Sequence, residues 1–293
     1  LQVRYPEAAR SFFMGLRCLF TLFVLQTALQ AQQLDAHSLQ TSLNRGLHRS
    51  SASAVVVAVN SGKPLASYRL AAAPPREPGS TLKPLFAAVA IKSGTVTART
   101  EVACPGILTI GQHNLRCSHP RAITIFDLQH AIAYSCNSWF AQLAAHMSAG
   151  QLDDGLRSYG LTVTRTPATL EQRQLLVLGL EDIRVTPMQL AEAYRTLALQ
   201  LSGNQLAPVQ AGLLDSVNYG MAHNAAVPGV TLAGKTGTAS NPGSSATHGL
   251  FVGILYSPAT RKPAAIIVVV VPQGNGADAA ALAQRCLLRW SGR

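Results

Sequence analysis

The sequence predicts a two-lobed α/β (α+β) protein: a sheet flanked by helices, joined to an inserted all-helical lobe. Three observations predict it. Short apolar runs rich in Val and Ile lie near both ends of the chain, helical patterns fill the middle, and the composition is 48% hydrophobic against 13% charged. Strands this distant in sequence join one sheet only if the helical stretch is an excursion from it. At 293 residues there is ample material for a core. The same composition excludes intrinsic disorder, and the unperiodic Gly and Pro exclude collagen-like and low-complexity classes.

The first thirty residues read as targeting. Arg10 and Arg17 precede the apolar stretch Cys18–Leu25, and Ala28-Leu29-Gln30-Ala31 supplies small residues at a cleavage position. A basic region, a short apolar core and a small-residue cut site make a secretory signal peptide. The expectation is a signal over residues 1–31, cleaved after Ala31, with an uncleaved anchor as the alternative and Met14 as an alternative start. The remaining chain is then exported, to the periplasm or the outer face of the cytoplasmic membrane. Export favours a local disulfide between Cys104 and Cys117, which bracket a hairpin-like segment. A metal reading would add His113 and His119 to those cysteines, but the spacing matches no common zinc pattern. The expectation is therefore no metal and no cofactor, with Cys136 and Cys286 as buried single thiols.

In the exported part, Leu39, Leu43 and Leu47 recur at four-residue steps and predict an amphipathic helix over Ala36–Arg49. Ala54–Val59 reads as a strand, Asn60-Ser61-Gly62 as a turn and Leu65–Leu70 as the return strand. From Leu82 to about Ala225 the pattern is mostly helical. Thr124-x-x-Asp127 announces one helix start, and Thr186-Pro187-Met188-Gln189 another, combining an N-cap, a first-turn Pro and a capping-box Gln. Val230–Thr238, Leu250–Leu255 and Ala264–Val271 are predicted strands, and Ala277–Trp290 a closing helix. The sheet lobe is thus expected over about 36–79 and 226–293, the helical lobe over about 80–225, with a cleft between them for a site.

The net charge is +11, yet the arginines are dispersed singly and form no block. With no zinc-finger spacing and no basic run interleaved with aromatics, a nucleic-acid partner is not expected. A solvated basic surface accounts for the charge.

The chemistry lies elsewhere. In Pro78-Gly79-Ser80-Thr81-Leu82-Lys83, a helix beginning near Ser80 puts Ser80 and Lys83 one turn apart on one face. A serine nucleophile needs such a base beside it, and a helix N-terminus favours developing negative charge. Ser-x-x-Lys alone is a weak pattern, since a helix cap followed by a solvated lysine has the same letters. It gains weight because the chain has only five lysines, and a second stands in Ala233-Gly234-Lys235-Thr236-Gly237-Thr238 on a predicted strand. Gly237 interrupts that strand where another backbone would approach, and Lys235, Thr236 and Thr238 suit a carboxylate-ended peptide. Between the two lies Ser135-Cys136-Asn137, at the junction of two apolar helices. Ser-x-Asn also occurs at Ser42, Ser202 and Ser216, so only order and context single out Ser135.

Ser-x-x-Lys, Ser-x-Asn and Lys-Thr-Gly in this order resemble the signature of penicillin-binding protein transpeptidases and serine β-lactamases. The resemblance extends to AVVVAVNSGKPLASY, FDLQHAIAYSCNSWFAQLA, LGLEDIRVTPMQLAEAY and HGLFVGIL, covering about Ala36 to the C-terminus. It implies an antiparallel sheet of the β-lactamase/transpeptidase type and a single transpeptidase module over 36–293. It also implies a D,D-transpeptidase in which Ser80 attacks the penultimate D-Ala carbonyl of a D-Ala-D-Ala stem peptide of peptidoglycan. Lys83 takes the Ser80 proton, Ser135 relays a proton to the leaving amine, and Asn137 orients Lys83 and the substrate amide. Lys235, Thr236 and Thr238 hold the terminal carboxylate, and the backbone N–H groups of Ser80 and Thr238 form the oxyanion hole. β-Lactam antibiotics then act as covalent inhibitors, and cell-wall synthesis proteins as partners. Glu171 and Glu181 lie where a class A β-lactamase keeps its deacylating Glu, but the fourth residues on are Leu175 and Val185 rather than Asn. A D,D-carboxypeptidase, a β-lactamase-type hydrolase and a non-catalytic penicillin-binding sensor are the alternatives.

Overall fold

The structure, a computed structural model, describes residues 35–240 and 245–290. The expected signal segment lies outside them. Its main sheet has the order β2-β1-β9-β8-β7 and is antiparallel throughout. The strands are β1 (Ser53–Ala58), β2 (Pro64–Tyr68), β7 (Leu232–Ser240), β8 (Thr247–Tyr256) and β9 (Pro263–Val271). Strands from both ends of the sequence therefore share one sheet, as the Val- and Ile-rich runs predict.

β1 is buried at all six positions, and β9 at all but its first two. A strand hidden on both sides needs cover on both faces. Helices α1 (Ala36–Gly46) and α9 (Gly276–Trp290) pack together and cover one face. The other face presents Val55, Val57, Val252, Ile266 and Val268 to Leu190 and Tyr194 of α7 (Pro187–Gln200). Leu39 and Leu43 of α1 are buried, as is Leu47 just beyond it, so the predicted stripe is the packed one.

The segment between β2 and β7 holds α2 (Lys83–Lys92), α3 (Leu128–Ala133), α4 (Asn137–Ala145), α5 (Ala149–Arg157), α6 (Leu170–Val177), α7 and α8 (Ala207–Asn218). Two small two-stranded sheets interrupt the helices: β3 (Val102–Ala103) with β6 (Ile125–Phe126), and β4 (Ile107–Ile110) with β5 (His113–Arg116). α2 is apolar nearly all round and buries seven of its ten residues, the mark of a helix at the centre of a lobe. Thr186 caps α7 in a capping box with Gln189, and Pro187 occupies the first turn. For α3 the cap is Asp127, which accepts the His130 N–H, and not Thr124. Thr124 lies just before β6, and its carbonyl accepts the Cys104 N–H at 2.7 Å. Among the described residues no helix is long and apolar enough to cross a membrane.

Candidate active site

The chain leaves the sheet lobe through a single 3₁₀ turn, Gly79–Leu82, which runs directly into α2. Ser80 lies in that turn and Lys83 opens the helix, one turn apart as the sequence predicts. The turn packs against β7, and this contact depends on two glycines. Gly79 has φ +54°, and a Cβ there would stand 2.7 Å from the Thr238 carbonyl oxygen. A Cβ on Gly237 would overlap the Pro78 carbonyl. The strand interruption predicted at Gly237 is thus a close approach of backbones. Thr81 fastens the turn from within: its hydroxyl donates to the Pro78 carbonyl, and its own carbonyl accepts the Tyr194 hydroxyl at 2.7 Å.

Opposite β7, α3 ends at Tyr134 and α4 begins at Asn137, with Ser135 and Cys136 between them. Ser135 has φ +58°, a left-handed conformation that costs a non-glycine residue about 1–3 kcal/mol. The Lys83 ammonium side chain crosses to this turn. Its Nζ donates to the Ser135 carbonyl at 2.8 Å and to Asn137 Oδ1 at 2.7 Å, and stands 3.3 Å from Ser135 Oγ. Lys83 is fully buried. Burial lowers its pKa to about 8, against a smaller opposing pull from the thiols of Cys136, Cys117 and Cys104. Lys235 is also fully buried, and its pKa falls well below the usual lysine value, first through burial and then through repulsion from Lys83. Its Nζ donates to the Thr236 carbonyl at 3.1 Å.

Ser80, Ser135, Asn137, Thr236, Gly237 and Thr238 together line one cavity of about 200 Å³. Thr236 and Thr238 share a strand face by their two-residue spacing. The Thr238 hydroxyl accepts the Gly276 N–H at the start of α9 at 2.9 Å. Residues that the motifs did not point to complete the wall: Leu115, Arg116 and Ser118 from the β5 hairpin, Tyr134, Leu178, Leu180 and Met221. The hairpin is the only trace of Leu115, Arg116 and Ser118 in the sequence, while Tyr134, Leu178 and Leu180 fall within the stretches quoted for the resemblance. The two glutamates weighed above are elsewhere. Glu171 sits against Gly111, and Glu181 pairs with His113 at 3.3 Å. Among the described residues no carboxylate lines the cavity.

The cysteines depart from expectation. Cys104 and Cys117 form no disulfide; both are free thiols, as are Cys136 and Cys286. Cys117 turns inward instead, where its Sγ accepts the Asn137 N–H at 3.3 Å. A hydrogen bond from the Cys136 thiol is the main cause that lowers its pKa to about 4, while that of Cys136 rises. Cys104 Sγ lies 3.4 Å from Ser138 Oγ and 3.1 Å from His119 Nε2. Cys136 is buried but not single, and His113 has left for Glu181.

Comparison with known proteins agrees with this architecture. In three dimensions the chain resembles the D,D-transpeptidase domain of a peptidoglycan glycosyltransferase from Eggerthella lenta. The TM-score is 0.70 at 21% identity, over 86% of this chain and 80% of that one. The family model of the penicillin binding protein transpeptidase domain matches residues 52–288, and the chain belongs to this family. Relatives include the peptidoglycan D,D-transpeptidase PbpA of Mycobacterium tuberculosis, 25% identical over 254 residues, covering 69% of this chain and 50% of the relative. Penicillin-binding protein 3 of Bacillus subtilis is 26% identical over 247 residues, covering 68% of this chain and 37% of the relative. The chain thus spans half or less of the length of these two relatives.

Proposed function

We propose that the protein is an exported serine D,D-transpeptidase that acylates Ser80 with D-Ala-D-Ala stem peptides of peptidoglycan and is trapped there by penicillins. The observation that carries this reading is the setting of Lys83: a buried amine with a lowered pKa, one turn from Ser80, held by two carbonyl-type oxygens. A neutral amine has two N–H donors, which those oxygens take, and its lone pair remains to accept the Ser80 proton. Burial, which disfavours the charged form, is what keeps the Lys83 amine available as a base.

Ser80 Oγ then bonds to the penultimate D-Ala carbonyl carbon as its proton passes to Lys83 Nζ. The backbone N–H groups of Ser80 and Thr238 stabilise the oxyanion, each such donor being worth about 2.7–4 kcal/mol. As the peptide C–N bond breaks, the proton moves through Ser135 to the leaving D-Ala amine. Thr236 and Thr238, with Lys235 beside them on β7, receive the terminal carboxylate, whose negative charge favours the protonated form of Lys235, and Asn137 orients the substrate amide. An amine of a second stem peptide retraces the path and yields a cross-link. A cavity without a carboxylate to activate water favours this transfer over β-lactamase-type hydrolysis. By its chemistry the enzyme works where peptidoglycan is assembled, beside other cell-wall synthesis proteins.

Labelling with a fluorescent penicillin tests the reading. The wild-type chain is expected to carry one covalent label that Ser80→Ala abolishes; label that survives the substitution overturns the assignment. Incubation with a stem-peptide donor and an amine acceptor is expected to give cross-linked product. D-Ala release without cross-links would make the enzyme a carboxypeptidase.

A further inference from the structure

Directly behind the Ser135–Asn137 turn, the Sγ atoms of Cys104, Cys117 and Cys136 and a ring nitrogen of His119 all lie within 4.8 Å of one another. Cys104, His119 and Cys136 are buried, and Cys117 is half-buried. We infer that these four side chains bind a Zn²⁺ ion, and that the ion pins the Ser135–Asn137 turn.

The donor set is the first reason. Three thiolates and one imidazole are a soft, four-ligand set typical of closed structural zinc sites. With Zn–S near 2.3 Å and Zn–N near 2.0–2.1 Å, a tetrahedron has S···S edges of about 3.8 Å and N···S edges of about 3.6 Å. All four donor atoms lie within 4.8 Å of one another, with His119 Nε2 3.1 Å from Cys104 Sγ, so small side-chain rotations bring them to these edges. His119 is turned the right way. Its Nδ1 stands 3.1 Å from the Pro120 carbonyl and can only donate to it, which leaves the Nε2 lone pair facing Cys104. Such a backbone carbonyl partner is the usual outer support of a zinc-bound histidine. The Asn137 N–H directed at Cys117 Sγ, and the Ser138 hydroxyl beside Cys104 Sγ, supply the same support to two sulfurs.

The chain path is the second reason. Cys104 follows β3, Cys117 and His119 follow β5, and Cys136 precedes α4, so one ion would tie three separate pieces of chain. A disulfide would join two of them and strand the third thiol. A route for the ion exists: a cavity of about 450 Å³ is lined by Cys104, Cys117 and His119, with Arg116 and Arg121 on the same wall. Those guanidinium groups suit the single negative charge that three thiolates and one Zn²⁺ leave. Binding releases the remaining thiol protons to solvent, and no electron changes hands.

The role assigned to the ion follows from Cys136. It is flanked by Ser135, whose backbone is strained, and by Asn137, which holds Lys83. Fixing the Cys136 sulfur fixes the residue between them. This positioning role rests on the serine chemistry proposed above; the metal site does not.

Full-length protein purified without chelator is expected to contain equimolar zinc by elemental analysis. Replacement by Co²⁺ should give the intense visible bands of a tetrahedral thiolate complex. Cys104→Ser and His119→Ala should lose the metal, and Cys286→Ser should keep it. Because ligand variants can misfold, a mercurial titration of the wild-type chain provides the second readout: zinc should be released as three thiols react. Zinc well below one per chain together with an octahedral cobalt spectrum overturns the site, as does a mass two hydrogens light from a disulfide among the three cysteines. Stripping the ion should slow penicillin labelling at least tenfold, with recovery on adding zinc; unchanged labelling overturns the positioning role. Ser80→Ala should keep its zinc, so a failure of the nucleophile assignment and a failure of the metal site read differently.

Discussion

The two walls of the cavity are held in different ways. On the β7 wall the constraint is backbone. Gly79 and Gly237 let a 3₁₀ turn rest on a strand whose register with β8 runs unbroken from Leu232 to Ser240. On the facing wall the constraint is side chains: Lys83 bound to Ser135 and Asn137, a thiol cluster behind them, and a serine in a left-handed conformation. A wall built of main chain tolerates any side chain that does not touch the contact and rejects even a methyl group where it does. A wall built of side chains has its geometry coupled to protonation and to the chemistry of the groups that hold it.

The sharpest division should come from Lys83→Met. The variant is expected to acylate at least a hundredfold more slowly, because the proposed base is gone. Its unfolding free energy should stay within about 1.5 kcal/mol of wild type, since a buried amine is exchanged for an apolar side chain of similar length. Burst kinetics with a penicillin and urea denaturation measure the two. Rapid acylation would remove Lys83 from the chemistry.

Gly237→Val should do the reverse. Overlap with the Pro78 carbonyl is expected to cost about 1–3 kcal/mol of stability by overpacking, with acylation falling because Ser80 is displaced. A variant with wild-type stability and rate would erase the distinction between the walls.

Proton dependence belongs to the side-chain wall alone. In the proposed mechanism Lys83 must be unprotonated to act, and burial lowers its pKa to about 8. The acylation rate should therefore rise about tenfold per pH unit below 8 and level off above it. A profile flat from pH 6 to 9 would assign proton removal to another group. The same shift has a sign for folding: a lysine whose folded pKa is lowered binds its proton more weakly than in the unfolded chain. It therefore destabilises the fold at neutral pH, and that cost fades as pH rises from about 8 through 10.5.

A smaller effect isolates the strain at position 135. Ser135→Gly should be more stable than Ser135→Ala by about 1 kcal/mol, since only glycine is at ease at φ +58°. Both should acylate slowly. The least effect is expected at Arg157, whose exposed pair with Asp153 along α5 should be worth under about 0.5 kcal/mol and nothing in acylation. Calorimetry of the three variants ranks them.

Much of the fold could be read from residue order. The Val- and Ile-rich runs became strands because burial on both faces demands continuous apolar residues, and Thr186-Pro187 capped a helix through purely local bonds. The Ser80–Lys83 pair was legible as one helical turn, whereas Ser135 and Lys235 were singled out by the order of the three motifs and the resemblance they carry. What escaped depends on tertiary convergence. Cys104, Cys117 and His119 lie in short irregular turns with no period to read, and their meeting with Cys136 follows from how the hairpin folds back. Nearness in sequence favoured a bond between Cys104 and Cys117; the inward turn of Cys117 toward α4 decided otherwise. Asp127 displaced Thr124 as a cap because the extended pairing of β3 with β6 had already claimed the upstream backbone. Nothing in the letters Ser-Cys-Asn indicates a positive φ.

The strand order carries a further consequence, for how the molecule comes into being. Ser53 pairs with Val270, so an early strand waits beside a gap that only the far end of the polypeptide can fill. Until β9 arrives, β1 and β2 form a lone ribbon, too small to persist in water. Pairings of such long range form slowly. The cavity wall that β7 supplies lies in the same late stretch of chain, next to β8 and β9 in the sheet, so that wall is missing until the far end of the polypeptide is in place.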